Sequence, residues 1–259
     1  MSFLIVEITS KGMIFGADKN VTTIYPDGTT HQNKKTEKVL KWPSGKALVG
    51  FVGQGQIGGL STKTWIEKFI TDNPTFSSLE QISMKLKDEV EKQRRIDEGT
   101  NSAEVLIIHL GGFEKSIGIE IPKIYYITNS YGLDKYTYID IRKEFKCTEE
   151  LWKYFPQITT AEDLKKELTK LENNLEPFWF HQGLDLLTFN VFHASLKFAF
   201  KNLINNHPDH KLPTSLGEWE KHAKMQILMY GAYFEAFHAA NELYVGGGAD
   251  VVSIEWKSN

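Results

Sequence analysis

Two apolar segments flank a short turn in KVLKWPSGKALVGFVG, the stretch that runs from Lys38 to Gly53. Residues 38–42 and 47–52 are rich in the apolar and β-branched types that strands favour, and Pro43-Ser44-Gly45 supplies turn residues between them. The stretch therefore predicts a β-hairpin.

Similar hairpin signals lie on both sides of this stretch. Strand-like segments again surround turns that contain glycine. These segments are residues 3–8 with 13–17 around Thr9-Ser10-Lys11-Gly12, residues 21–37 around Pro26-Asp27-Gly28, and residues 103–110 with 117–127 around Gly111-Gly112. The first of these pairs places the N-terminus of the chain on a strand.

Helical spacing of apolar residues appears in two blocks of the chain. Residues 61–96 predict two amphipathic helices separated by Asn73-Pro74, whereas residues 183–204 and 218–242 predict two longer ones. A final strand over Val251–Trp256 follows Gly246-Gly247-Gly248. The elements follow the order strands, two helices, strands, two helices and a strand. This order favours an α+β layered fold over a doubly wound sheet of βαβ units.

The composition indicates an ordinary globular chain of 259 residues, with 41% hydrophobic and 24% charged residues. A formal net charge of −3 provides no field that would attract nucleic acid. No run approaches the roughly 20 apolar residues of a membrane span, and the N-terminus lacks the features of a secretory signal. With Cys147 as the single cysteine, we expect a cytoplasmic protein without disulfides.

Three stretches carry a resemblance to a known family. Residues 9–19 are similar to the opening of proteasome β-subunits, and residues 38–53 are similar without gaps to the bacterial proteasome-like peptidase that works with an unfoldase ring. Residues 245–252 resemble the last glycine turn and strand of the same family. On these motifs the chain is identified as a member of the proteasome β-subunit-like N-terminal-nucleophile (Ntn) hydrolase family.

This resemblance implies a single domain over residues 1–259, folded as a four-layer αββα sandwich of two antiparallel sheets between helices. The charged segment at about 148–176 would be a helical elaboration of that domain. The family register places the catalytic positions on four residues of this chain, Ser2, Asp18, Lys38 and Gly53.

The resemblance also implies a role for each of these residues. Removal of Met1 would give Ser2 a free α-amino group, whose pKa near 8 suits a base for the Ser2 hydroxyl at neutral pH. Lys38 would add positive charge, Asp18 would hold Lys38 in place, and the backbone N–H of Gly53 would face the oxyanion. The expected activity is hydrolysis of an amide bond in a peptide or a small amide, without a metal or an organic cofactor.

Two alternatives stay open at this point. The chain could be a catalytically inactive scaffold or ring subunit of the same fold, or an acylase that acts on a small amide. In either case the resemblance implies a homo-oligomer, which could be a ring, and an unfoldase is a further expected partner. Neither nucleic acid nor a membrane is expected as a partner.

Two other patterns have weaker functional interpretations. Residues 53–58 match the dinucleotide fingerprint G-x-G-x-x-G, but the region about 20 residues further on reads as a helix rather than as a second strand. The histidines that lie in strand-like or helical segments, His109, His181, His193 and His238, lack the spacing of metal ligands, so we interpret them as structural.

Overall fold

A computed structural model describes residues 3–24, 30–96, 105–116, 119–134, 138–175, 178–182, 186–207, 209–237 and 246–257. Within these ranges the chain forms thirteen strands, which are β1 Leu4–Ile8, β2 Gly12–Asp18, β3 Asn20–Ile24, β4 Thr30–Lys35, β5 Val39–Lys41, β6 Ala47–Gly53, β7 Gln56–Ile57, β8 Leu60–Ser61, β9 Leu106–Ser116, β10 Ile119–Asp134, β11 Tyr138–Glu149, β12 Phe178–Gln182 and β13 Ala249–Glu255. The same ranges contain five α-helices and a 3₁₀-helix, which are α1 Thr62–Asp72, α2 Leu79–Ile96, α3 Ala161–Glu172, α4 Leu186–Asn206, α5 Leu216–Phe237 and the 3₁₀-helix Leu151–Tyr154.

Two antiparallel sheets form the centre of the molecule. The first sheet has the order β12-β1-β2-β13, and the second has the order β11-β10-β9-β6-β5. Hairpins β3-β4 and β7-β8 are separate from both sheets. The predicted α+β class is confirmed, as are the predicted hairpins β1-β2 and β5-β6.

The first two strands are buried on both faces, and their side chains point alternately to one face and the other. Leu4, Val6 and Ile8 share one apolar cluster with Leu48 and Val52 of the second sheet, so this face lies between the sheets. Phe3 and Ile5 point to the opposite face, where they join a cluster with Ile227 and Tyr230 of α5. The sheets therefore pack on each other, and α5 covers the outer face of the first sheet.

The outer face of the second sheet is covered by α1 and α2. Both helices are amphipathic, as their sequence spacing predicts, and their apolar faces bury a set of side chains against β6, β9 and β10. The members of that set from the helices are Ile66, Phe69, Ile70, Leu79, Ile82, Leu86 and Val90. The first helix begins after Ser61, whose side chain accepts a hydrogen bond from the Thr64 backbone N–H.

The predicted turn at Gly111-Gly112 is wrong. Both glycines lie inside β9, where Gly111 pairs with Ile124 on one side and with Leu48 on the other, and pairing of β9 with β10 extends to Ser116 and Ile119. A Cβ atom at Gly111 would lie 2.5 Å from the Met13 sulfur, which belongs to the opposite sheet. The glycines allow a close approach between sheets rather than a change of chain direction.

The middle of the chain contains strands that the sequence pattern did not indicate. β11 continues the second sheet as far as Glu149, and β12 pairs with β1 at the edge of the first sheet. The segment that follows β11 contains the 3₁₀-helix and α3, and Leu164 and Leu168 of α3 pack into the cluster between the sheets. No α-helix in the described part of the chain is long and apolar enough to cross a membrane.

We predict that Gly111→Ala lowers the free energy of unfolding by about 1–3 kcal/mol, the usual cost of overpacking a core. The added Cβ would press on Met13 and on the Phe15 ring, which lies 2.9 Å away. Urea unfolding measures the effect. Gly55→Ala is the matched control because nothing lies within 4 Å of its Cβ position, and equal stability of the two variants would contradict the prediction.

Candidate active site

A buried ion pair joins the end of β2 to the residue before β5. The Lys38 Nζ atom lies 2.8 Å from Asp18 Oδ1, and the two side chains are 4% and 0% exposed. Between them in sequence the chain makes the β3-β4 excursion, which returns where the Thr36 N–H donates to the Lys19 carbonyl. The hairpin thus closes a loop that brings two distant, oppositely charged residues together.

The Asp18 carboxylate accepts four hydrogen bonds. Oδ1 receives the Phe3 N–H and the Lys38 ammonium, each at 2.8 Å, whereas Oδ2 receives the N–H groups of Asn20 and Gly246, each at 3.2 Å. Three of these donors are peptide N–H groups, and they come from the residue before β1, the first residue of β3 and the turn before β13. One side chain therefore connects three separate parts of the chain.

Burial acts on the protonation of both partners. Desolvation raises the pKa of Asp18, and the charge of Lys38 together with the peptide N–H donors of Phe3 and Gly246 opposes that rise. Desolvation also lowers the pKa of Lys38, against the attraction of Asp18. Because each charge stabilises the other in a place that water does not reach, the pair depends on both members being present.

Lys38 is also held by the backbone. Its ammonium donates to the Asn20 carbonyl oxygen at 2.5 Å, and its own carbonyl accepts the N–H of Phe51 in β6. An ammonium has three donors, and Asp18 and Asn20 use two of them among the described residues. The position of the lysine is therefore fixed by contacts at both ends of the residue.

Gly53 lies at the end of β6, two residues beyond the one that pairs with Lys38. At about 3.3 Å per residue this separation along the strand is roughly 7 Å. Its φ is +100°, and a Cβ atom there would overlap the Val105 carbonyl oxygen, which already accepts the Gln54 N–H at 2.7 Å. Glycine is thus required at this exposed strand end.

The fourth predicted site residue, Ser2, lies outside the described residues, as does Met1. Its covalent neighbour Phe3 is described, and the N–H of Phe3 is one of the two donors to Asp18 Oδ1. The structure thus brings together Asp18, Lys38 and the attachment point of Ser2. His238 also lies outside the described residues.

No group of three metal-ligating side chains occurs within the described ranges. His109, in β9, is buried against Tyr126, and desolvation lowers its pKa to about 3. The region in which a dinucleotide fingerprint needs a parallel strand is helix α2.

Sequence reasoning did not single out a second buried carboxyl, that of Glu7. This side chain is 0% exposed, and its Oε1 accepts a hydrogen bond from Gln226 Nε2 of α5 at 2.9 Å. Its Oε2 has no hydrogen-bond partner among the described residues. Burial raises the pKa of Glu7 to about 8. A lone charged residue within the apolar run of β1 was the available sequence signal.

Comparison with known proteins finds similarity in solved structures alone. No protein-family model matches the chain, and no curated protein matches it. The chain resembles Anbu proteins in structure. Anbu (ancestral beta-subunit) from Yersinia bercovieri matches with a TM-score of 0.49 and 14% identity. A Gly-1 mutant of Anbu from Hyphomicrobium sp. strain MC1 matches with a TM-score of 0.48 and 16% identity.

In both comparisons the alignment covers 98% of this chain and 82% of the Anbu chain. These matches assign neither a family nor an activity to the protein. We identified the chain from its motifs as a member of the proteasome β-subunit-like Ntn hydrolase family, and this family assignment is wrong. No family model matches the chain, and the similar structures are Anbu proteins of 14–16% identity.

We predict that Asp18→Ala destabilises the protein more than Lys38→Met does. Removal of one partner from a buried ion pair costs about 3–5 kcal/mol. Without Lys38, the carboxylate keeps three peptide donors, whereas without Asp18 the ammonium keeps the Asn20 carbonyl as its described acceptor. Urea unfolding of both variants measures the difference, and the opposite order would contradict this account of the pair.

We predict that the contribution of Glu7 to stability falls as the pH rises from about 5 to 8, so that wild type loses stability relative to Glu7→Gln over this range. A folded pKa of about 8 against 4.5 when unfolded means that the unfolded state loses the Glu7 proton first. The slope from this one group is at most about 1.4 kcal/mol per pH unit.

Urea unfolding between pH 5 and 8 tests this pH dependence. Glu162→Gln is the matched control, because the Glu162 side chain is 83% exposed. The free energies of unfolding of wild type and Glu162→Gln should change with pH in parallel, whereas Glu7→Gln should become more stable relative to both as the pH rises. A Glu7→Gln curve that runs parallel to them would show that Glu7 is not the source of the slope.

Proposed function

We propose that the protein is an amide-bond hydrolase that cleaves peptides, with Ser2 as its nucleophile after removal of Met1. The observation that carries this proposal is that the Phe3 N–H and the Lys38 ammonium donate to the same oxygen, Asp18 Oδ1. Ser2 is joined to that Phe3 nitrogen by its peptide bond. The peptide nitrogen to which Ser2 is attached is therefore within hydrogen-bond distance of the buried ion pair.

The α-amino group of Ser2 would act as the base in this mechanism. A terminal amine has a pKa near 7.7–8.0, so that a substantial fraction is neutral at physiological pH. The amine would take the proton from the Ser2 hydroxyl as the oxygen attacks the carbonyl carbon, and would later pass it to the leaving amine. Water would then hydrolyse the acyl ester and restore the free hydroxyl.

Lys38 and Asp18 would have electrostatic roles. The third N–H of the Lys38 ammonium would point to the Ser2 oxygen and stabilise the negative charge that develops there. Its positive charge also favours the neutral form of the nearby amine. Asp18 would keep the ammonium in place, and no metal or organic cofactor is needed for any of these steps.

Gly53 would stabilise the tetrahedral intermediate through its backbone N–H. It is exposed at the end of β6, beyond the position that pairs with Lys38. A donor of this kind contributes about 3–4 kcal/mol to the stability of the transition state. Its glycine geometry supports the role, since a side chain at that position would overlap the neighbouring strand.

We also propose that residues 1–259 form one domain with a four-layer αββα architecture. Helices α1 and α2 on one sheet, α5 on the other and the shared core between the sheets support it. The segment at about 148–176, with the 3₁₀-helix and α3, would be an elaboration of this domain. Homo-oligomer formation, a ring, an unfoldase partner and a cytoplasmic location stay predictions.

One observation favours a non-catalytic alternative. The ion pair is almost fully buried and bonded to backbone groups on several sides, which is also what a structural connection between β1 and β5 requires. In that case the protein would be a scaffold or ring subunit. An acylase for small amides would use the same Ser2 chemistry as a peptidase, and only the substrate would differ.

The test is an intact mass of the untagged protein, followed by reaction with a peptide epoxyketone, which needs both a hydroxyl and a free α-amine on one residue. We predict loss of Met1 and one adduct on Ser2. Lys38→Met should slow adduct formation by about 10²–10⁴-fold, the usual range for a group that assists proton transfer. Lys46→Met is the matched control, since Lys46 is exposed in the β5-β6 turn.

The variant Ser2→Ala should form no adduct while keeping its fold. Retention of Met1, or an adduct that persists in Ser2→Ala, would overturn the catalytic proposal and leave the scaffold. If the adduct forms, turnover of peptide substrates against that of short acyl amides separates a peptidase from an acylase.

A further inference from the structure

The peptide group of Gly246 contacts the ion pair from 228 residues away in the sequence. Its N–H donates to Asp18 Oδ2 at 3.2 Å, while its carbonyl oxygen accepts the N–H groups of Lys19 at 3.1 Å and Asn20 at 3.2 Å. One residue thus holds both the side chain of Asp18 and the backbone that follows it. The turn before β13 is therefore bonded to the site directly.

Asn20 transmits this contact to Lys38. Its carbonyl oxygen accepts the Lys38 ammonium at 2.5 Å, and its N–H is the second donor to Asp18 Oδ2. Lys38 has two described acceptors, and both belong to residues that are bonded to Gly246. The Asp18 carboxylate accepts the Gly246 N–H, and the N–H of Asn20 donates to the Gly246 carbonyl. A displacement of the glycine turn would move both acceptors at once.

The turn has a geometry that favours glycine at each of its positions. The φ angles of Gly246, Gly247 and Gly248 are +147°, +73° and +104°. A Cβ atom at Gly247 would overlap Asn20 Oδ1, whereas one at Gly248 would meet nothing closer than Lys19 Cδ at 3.7 Å. The two positions therefore share the backbone requirement and differ in contact with Asn20.

We propose that Gly246 and Gly247 are positioning residues for the Asp18–Lys38 pair, the first through its peptide hydrogen bonds and the second through its close contact with Asn20. As far as catalysis is concerned, this inference rests on the proposed function. A shift of about 1 Å in a supporting group can slow a reaction by roughly 10²-fold. The glycine turn would therefore set the reactivity of Ser2 without touching the substrate.

Gly231 of α5 offers a second way to displace the turn. A Cβ atom at Gly231 would lie 3.2 Å from the Gly246 Cα atom, which is tighter than ordinary contact. Gly231→Ala would therefore push on Gly246 from the helix and leave the conformation of the turn residues free to adjust. It is a milder change than Gly247→Ala and keeps the test informative if Gly247→Ala does not fold.

The experiment compares Gly247→Ala with Gly248→Ala, its matched control, by two measurements on the full chain. Carbon-13 NMR titration of the aspartate carboxyls gives the pKa of Asp18, with Asp18→Asn to assign the signal. Reaction with the epoxyketone gives the maximal rate of inactivation and the binding constant of the probe. Both are repeated with Gly231→Ala, with Asn20→Ala and with the double variant Asn20→Ala/Gly247→Ala.

We expect the pKa of Asp18 to rise by roughly one unit in Gly247→Ala, since hydrogen bonds to a carboxylate lower its pKa and this variant weakens them. The maximal rate should fall about 10²-fold with the probe's binding constant unchanged. Gly248→Ala, which strains the backbone of the same turn without the overlap with Asn20, should show a smaller change than Gly247→Ala. The double variant should return to the values of Asn20→Ala, because the overlap is removed, and Gly231→Ala should show a smaller change in the same direction.

An unchanged Asp18 pKa in both Gly247→Ala and Gly231→Ala, or an equal change in Gly248→Ala, would overturn the inference. The NMR titration does not need catalysis, so the two proposals can fail separately. If the pKa of Asp18 shifts in Gly247→Ala but wild type forms no Ser2 adduct, the hydrolase proposal alone is wrong. If Gly247→Ala reacts with the epoxyketone as fast as wild type does, the positioning proposal alone is wrong.

Discussion

The structure depends on the burial of one carboxylate. Asp18 is fully buried, and an ionised carboxylate without partners would be prohibitively unstable there. The fold supplies four donors from the start of β1, the backbone after β2, the side chain of Lys38 and the turn before β13. Each of these segments must hold its position for the others to be stable, so the N-terminus and the last turn are mutually constrained.

The close packing of the two sheets depends on glycines in the second sheet. Gly50 and Gly111 leave room for side chains of the first sheet, since a Cβ atom at Gly50 would lie 2.7 Å from Leu4 and one at Gly111 would lie 2.9 Å from Phe15. These missing side chains let β1 and β2 lie directly on β6 and β9. Gly53 ends β6 two residues beyond Phe51, whose N–H donates to the Lys38 carbonyl.

The first sheet contains two buried acids that are accommodated in different ways. Asp18 has an ammonium partner and three peptide donors, whereas Glu7 has one described donor, from Gln226. The four donors of Asp18 oppose the rise of its pKa on burial, whereas the single donor of Glu7 leaves its pKa raised to about 8. Asp18 lies where chemistry is proposed, and Glu7 lies under α5.

The sequence by itself determined the local elements. Alternation around turn residues predicted the hairpins β1-β2 and β5-β6, and helical spacing predicted α1, α2, α4 and α5, because both signals depend on neighbours within a few residues. Tertiary structure alone decided the rest. The sequence predicts a turn at Gly111, but side chains of the opposite sheet occupy the space that a side chain of residue 111 would need. Residues 178–182 form β12 by pairing with β1. Only the family resemblance placed Asp18 and Lys38 together. The sequence did not indicate that Gly246 supports them, because a hydrogen bond between residues 228 apart leaves no periodic pattern in a single chain.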